Sequence, residues 1–244
     1  MKSIGLIGLS DPCQNRPRII ETKTFLESLG HTVSVSPLLY KQTAGRERAK
    51  LWNEWMGKYD FLFDVSGGDL ANETIPYLYF DRYASSQTIF CGYSDLTCVL
   101  NVLGPMRPCL LFQIVGNANR RALARALNGD WSELVIGQGY GGNIRCFLKL
   151  AGTPYMPDLT GSPLYLESRS GDAFRIRSYF AQLAMMGIFE RISGLYLGTF
   201  TELNDEDCLR KIAGQYTHVT ASGLPFGHEN RSKAVWIGGS YGSW

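Results

Sequence analysis

Along the first half of the chain, short apolar runs alternate with longer stretches whose apolar positions recur at helical spacing. Residues 4–9 read as a strand, 17–29 as a helix stopped at Gly30, 32–35 as a second strand and 44–56 as a second helix ending near Gly57. Residues 60–65 form a third apolar run that opens directly into Ser66-Gly67-Gly68-Asp69. A helix-like stretch leads to a fourth run that breaks at Gly92, and 96–103 reads as a further helix. Strands alternating with helices of this length imply crossover connections and a largely parallel sheet covered on both faces. Ligands in such sheets sit beyond the carboxyl ends of the strands. Gly67-Gly68 and Ser94 both fall at that edge.

Between 128 and 142 the pattern loosens into Asn128-Gly129-Asp130-Trp131 and then Gly137-Gln138-Gly139-Tyr140-Gly141-Gly142. Glycine at this density marks a linker or a close backbone approach. The expected layout is an N-terminal α/β domain over 1–128, a Gly-rich linker over 129–142 and a smaller C-terminal β/α domain over 143–244. Within the last, 143–150 reads as a short helix capped by Asn143, 162–166 as a strand ending at Glu167, and 172–187 as a helix. Residues 194–197 read as a strand, 205–216 as a helix, and the tail after Val219 as strand and loop.

With 244 residues the chain can bury a proper core, and 45% apolar with 19% charged residues is the balance of a globular protein. A net charge of +2 from scattered basic residues gives no case for nucleic acid. No apolar run approaches the roughly 18–20 residues that span a bilayer, so no membrane partner is expected. Met1-Lys2-Ser3-Ile4-Gly5-Leu6 enters a strand pattern without a signal-peptide layout. The expectation is a soluble cytoplasmic protein. Six cysteines form no C-x-x-C pair and have no histidine at ligand spacing, so neither a metal nor another cofactor is expected, and the thiols should act as small hydrophobes.

Ser94 stands in Gly92-Tyr93-Ser94-Asp95-Leu96, an apolar strand turning into a helix. A serine held in that bend projects its hydroxyl with helix amides close behind, the logic of a nucleophile elbow, although Leu96 stands where the usual pattern has a second glycine. The alternative is an ordinary helix N-cap. A nucleophilic serine needs a base, and usually a carboxylate to orient it. There are three histidines. His31 follows a helix end, where it can cap carbonyls. His218 opens a strand. His228 lies in the loop Phe226-Gly227-His228-Glu229-Asn230-Arg231 and is the best base candidate. Glu167, closing an apolar strand, is either a surface accident of alternation or a carboxylate held to pair with something. Gly67-Gly68 can offer backbone N–H groups to an oxyanion.

Gly92-Tyr93-Ser94-Asp95-Leu96-Thr97, Gly141-Gly142-Asn143, Gly152-Thr153-Pro154-Tyr155-Met156-Pro157, Leu166-Glu167 and Phe226-Gly227-His228-Glu229-Asn230-Arg231 occur in that order. Together they resemble the successive motifs of the LD-carboxypeptidase family of serine peptidases, which includes murein tetrapeptide LD-carboxypeptidases and microcin C self-immunity peptidases. The resemblance implies a Ser-His-Glu triad on Ser94, His228 and Glu167, with an oxyanion hole of the Gly68 and Asp95 amides. Gly67, Asp69, Asn143 and Arg145 fall where substrate would be bound. It further implies an N-terminal parallel α/β domain, a smaller C-terminal mixed domain, an active site between them and a homodimer. The implied reaction is hydrolysis of an amide in a small peptide-like substrate, an L,D-bond before a terminal D-amino acid as in recycled peptidoglycan peptides.

The chain also departs from the family. Murein-cleaving members usually carry arginine before the paired glycines and tyrosine after them, where this chain has Ser66 and Asp69. The chain is also short, chiefly between Ser94 and Glu167. Arg145, Arg169 and Arg231 flank the motifs; each is either a carboxylate partner or, the favoured reading for any one of them, part of a solvated charged face. A self-immunity-type peptidase cleaving aminoacyl-nucleotide conjugates is an alternative, with Trp131 or Tyr140 as a platform for the base. A binding protein that has lost catalysis is another. A cysteine glutaminase of similar architecture would need a cysteine where Ser94 stands.

Overall fold

The computed structural model describes residues 1–239. The first half runs β1 (Ser3–Ile7), α1 (Arg16–Ser28), β2 (Thr32–Val35), α2 (Gly45–Trp55), β3 (Phe61–Asp64), α3 (Phe80–Ser85), β4 (Ile89–Gly92), α4 (Thr97–Leu103), β5 (Cys109–Leu111) and α5 (Arg120–Leu127). The second half runs β6 (Val135–Asn143), α6 (Ile144–Phe147), β7 (Pro163–Ser168), α7 (Ala173–Met185), β8 (Gly194–Phe200), α8 (Glu206–Ala213), β9 (Val219–Ala221) and β10 (Ala234–Ile237). The strands form a sheet in the order β2-β1-β3-β4-β5-β10-β6-β7-β8-β9. Neighbours are parallel except at β10, which is antiparallel to β5 and parallel to β6. The result is the mostly parallel α/β architecture read from the alternating pattern, made mixed by one returning strand.

Strand alternation divides the core between two faces. Phe61 and Phe63 of β3 pack with Ile19 and Leu26 of α1 and Leu123 and Leu127 of α5. Leu62, between them, packs with Trp52 of α2 and with Leu100 and Leu103 of α4. Every residue of β3 is buried, which is why it reads as an unbroken apolar run rather than an alternating one.

The stretch expected as a linker is largely strand. From Val135 to Asn143 it is β6, whose first half pairs with β10 and whose second half pairs with β7. Its glycines serve close approach. A Cβ on Gly137 would collide with the Tyr165 hydroxyl, and one on Gly141 with the Tyr165 carbonyl. Gly141 and Gly142 have φ of 106° and 123°, breaking the extended backbone where β6 meets α4. Residues 240–244 of the expected C-terminal half lie outside the described residues. Among the described residues no helix is long and apolar enough to cross a membrane, and all six cysteines are free thiols, four of them buried.

Candidate active site

Ser94 occupies a bend that the sequence builds from both sides. β4 ends at Gly92, Tyr93 is still extended (φ −155°), and Ser94 has φ 55°. A single 3₁₀ turn, Ser94–Leu96, then leads into α4. A left-handed conformation costs an L-residue roughly 1–2 kcal/mol, and fixed structure on either side holds it here. Leu96 is fully buried, and its Cβ would lie 2.7 Å from any Cβ at position 92. The bend therefore requires glycine before the serine and accepts leucine after it.

Helix α4 carries this elbow onto the second half of the chain. Asn101 clamps the backbone of Gly141, its Nδ2 donating to the carbonyl at 2.7 Å and its Oδ1 accepting from the N–H at 2.8 Å. The N–H of Asn143 donates to Thr97 Oγ1 at 3.0 Å. Asn143 stands opposite Glu167 in the β6–β7 register. The start of α4 is thereby fixed against the carboxyl end of β6, beside the strand that carries Glu167.

His228 closes the arrangement from the loop between β9 and β10. Its Nε2 lies 3.0 Å from Ser94 Oγ and its Nδ1 lies 2.8 Å from Glu167 Oε2. A carboxylate only accepts, so Nδ1 carries the proton and Nε2 is free to accept from the serine hydroxyl. Glu167 is fully buried, and its other oxygen, Oε1, has no hydrogen-bond partner among the described residues. Among the described residues, the imidazole is the one hydrogen-bond partner of its carboxylate. The Tyr93 ring packs on that imidazole, with centroids 4.6 Å apart. Burial, with Glu167 and Glu229 nearby, pushes the Tyr93 hydroxyl well above its ordinary range, so it stays neutral beside the base. The other two histidines are elsewhere. His31 accepts from the N–H of Lys2 at 3.3 Å instead of capping a helix carbonyl, and His218 is exposed.

The loop after β3 lies beside the serine because β3 and β4 are parallel neighbours. Gly67 and Gly68 line one cavity of about 270 Å³ with Ser94 and His228. Gly68 has φ 127°, and a Cβ there would collide with the Asp11 carboxylate. The loop is anchored at its start by Asp64, which accepts from the N–H of Leu9 at 2.7 Å and from the N–H and hydroxyl of Ser66 at 2.8 and 2.6 Å. Burial pushes the Asp64 carboxyl up to about 7, with those donors opposing the rise.

The remaining expected site residues do structural work. Asn143 Oδ1 caps α6 through the N–H of Cys146. Asp69 pairs with Arg145, whose Nη2 also donates to the Gly68 carbonyl at 3.2 Å, and this pairing holds the Asp69 carboxyl below its ordinary range. Arg145 is thus a brace on the glycine loop. Trp131 and Tyr140 do not offer a stacking platform at the cavity. Trp131 packs on Phe61 and Trp236, and Tyr140 is a core residue only 7% exposed. Arg18 and Gln113 share the cavity wall with Arg169 without any motif that marks them. Nothing in their local pattern distinguishes them, since they arrive from α1 and from beyond β5.

Comparison with known proteins agrees with this architecture. Residues 4–106 match the model of the LD-carboxypeptidase N-terminal domain, and 136–241 that of the LD-carboxypeptidase C-terminal domain. Microcin C7 self-immunity protein MccF of Escherichia coli is 24% identical over 213 residues, covering 65% of this chain and 62% of its own length. The muramoyltetrapeptide carboxypeptidase from Oxalobacter formigenes superposes with a TM-score of 0.82 at 22% identity, over 97% of this chain and 93% of that one. MccF in complex with glutamyl sulfamoyl guanosine superposes with 0.83 at 16% identity, over 97% and 91%. The chain belongs to the LD-carboxypeptidase family, peptidase S66.

Proposed function

We propose that the protein is a serine carboxypeptidase that hydrolyses the L,D-amide bond before a terminal D-amino acid in small murein-type peptides, acting in the cytoplasm as a homodimer. The observation that carries this reading is the relay of 3.0 Å from Ser94 Oγ to His228 Nε2 and 2.8 Å from His228 Nδ1 to Glu167. In the reaction Ser94 Oγ attacks the scissile carbonyl carbon while His228 Nε2 takes the hydroxyl proton. The N–H groups of Gly68 and Asp95 receive the developing oxyanion. The intermediate collapses, the C–N bond breaks, and His228 returns its proton to the departing amine. Water, deprotonated by the same imidazole, then cleaves the acyl-serine ester. Ser94 comes from the half spanning 1–128, and Glu167 and His228 from the half spanning 143–244.

The test is release of D-alanine from a murein tetrapeptide, followed by mass spectrometry, for the wild type and for Ser94→Ala, His228→Ala and Glu167→Gln. The wild type should release it and each folded variant should not. Hydrolysis by folded Ser94→Ala at the wild-type rate overturns the reading. The relative that binds glutamyl sulfamoyl guanosine supports running an aminoacyl sulfamoyl adenosine beside the peptide. Cleavage of that compound alone would move the substrate class to aminoacyl nucleotides.

A further inference from the structure

The cavity in front of Ser94 carries two arginines, Arg18 and Arg169, that no carboxylate among the described residues pairs with. Arg18 projects from the first turn of α1, and Arg169 follows the end of β7, two residues beyond Glu167; both line the cavity with Ser94 and His228. Both are exposed, and neither forms an ion pair among the described residues. Arg145 is already held by Asp69 and the Gly68 carbonyl. The acid on the cavity wall, Asp64, is fully buried and already accepts three hydrogen bonds. The exposed charges on this cavity wall are therefore the two guanidinia, with the Asp11 carboxylate lying against Gly68 in the adjoining cleft that Arg169 also lines.

Size narrows the occupant further. At about 270 Å³ the cavity falls just below the roughly 300–1,000 Å³ of ordinary small-molecule sites. It suits one small residue beyond the scissile bond rather than an extended chain. Consecutive Cα atoms are about 3.8 Å apart, so the carboxylate of a terminal residue stays within the same cavity as the attacked carbonyl. A guanidinium meets a carboxylate through paired N–H donors, a fit that an uncharged amide end cannot reproduce.

We propose that Arg18 and Arg169 bind the free α-carboxylate of the terminal residue and restrict the site to cleavage at a chain end. This rests on the peptidase reading above and names the group that reading leaves without a partner, given Ser66 and Asp69 around the paired glycines. Because both guanidinia are exposed, salt should weaken the interaction.

The test uses folded Ser94→Ala protein, which should bind without turnover, titrated calorimetrically with a murein tetrapeptide ending in D-alanine and with its C-terminal carboxamide. The acid should bind about tenfold tighter than the amide. That preference should shrink with Arg18→Ala or Arg169→Ala and vanish with both, the loss falling on the acid more than on the amide. Both substitutions are at exposed positions, and thermal melts verify that the variants fold. Equal affinities for acid and amide, binding of neither, or a preference that survives both substitutions overturns the proposal. Hydrolysis by the wild type is measured alongside. Failure to release D-alanine sinks the peptidase reading, whereas release with no preference for the acid sinks the arginine pair alone.

Discussion

The carboxylate of Asp95, the residue after Ser94, holds the ammonium group of Lys149 in a pair whose acid is fully buried and whose lysine side chain is 17% exposed. The other Asp95 oxygen accepts from Ser10 Oγ at 2.6 Å and from the N–H of Ala71 at 2.8 Å, and Lys149 Nζ donates to the Asp69 carbonyl at 2.7 Å. One side chain therefore ties the elbow to the loop after β1, to the far end of the glycine loop and to the turn after α6. The two amides proposed for the oxyanion, those of Gly68 and Asp95, belong to the segments it joins.

Removing the cation should be costly for that reason. Lys149→Met leaves a buried charge without its partner, a loss on the order of 3 kcal/mol in stability. Its catalytic effect should fall on kcat more than on KM, because the oxyanion donors matter most in the transition state. Adding Asp95→Asn should recover part of the stability in chemical denaturation. A Lys149→Met protein as stable as the wild type would show that the pair contributes nothing.

A second buried acid sets a pH dependence. Asp64 has an ordinary carboxyl value of 3.8 when unfolded and about 7 in the folded protein, raised chiefly by burial. The folded state thus holds this proton over a range where the unfolded chain has released it. The stability gained is fully present below about pH 3.8 and is lost as the pH rises towards about 7. The slope should approach about 1.4 kcal/mol per pH unit within that window. Asp64→Asn, which cannot titrate, should be less stable than the wild type at the acid end, with the gap narrowing towards neutrality. Parallel stability profiles for the two proteins would count against the assignment.

Much of this site is legible in the sequence, and the reason differs by residue. Ser94 announces itself locally, because a strand ending in glycine and turning into a helix is written in adjacent positions. Glu167 and His228 carry weak local signals and gained weight only as motifs in register with Ser94. The β6 glycines were ambiguous in principle. Density of glycine reports backbone approach but not what approaches, and here it is β7 and α4. Three-residue β5 is too short for a periodicity, and the returning course of β10 between β5 and β6 depends on contacts far away in sequence. The roles of Asp69 and Arg145 were invisible for the same reason, since they face each other across 76 positions.

Gly68 offers a test of the loop. Alanine there would have to adopt φ 127° and displace the Asp11 carboxylate. The strain should cost about 1–3 kcal/mol, and movement of the Gly68 amide should lower kcat by about 10²–10³. Gly67→Ala, whose Cβ meets nothing within 4 Å, should leave stability nearly unchanged. Equal melting temperatures and equal kcat for Gly68→Ala and the wild type would remove this amide from the proposed oxyanion hole.

The strain at the elbow itself is measurable without any substrate. Ser94→Ala and Ser94→Gly both delete the hydroxyl, so both should be inert towards peptide. They differ in what φ 55° costs them. Alanine keeps the Cβ that crowds the backbone in the left-handed region, whereas glycine enters that region freely. In the unfolded chain glycine is the more flexible residue, which opposes the gain by somewhat under 1 kcal/mol. The relief of roughly 1–2 kcal/mol should win, leaving Ser94→Gly the more stable of the pair by a few tenths to about 1 kcal/mol. Urea denaturation of the two proteins at one pH decides it. If Ser94→Ala proves the more stable, the serine is not held under strain, and the bend is simply the conformation its neighbours prefer.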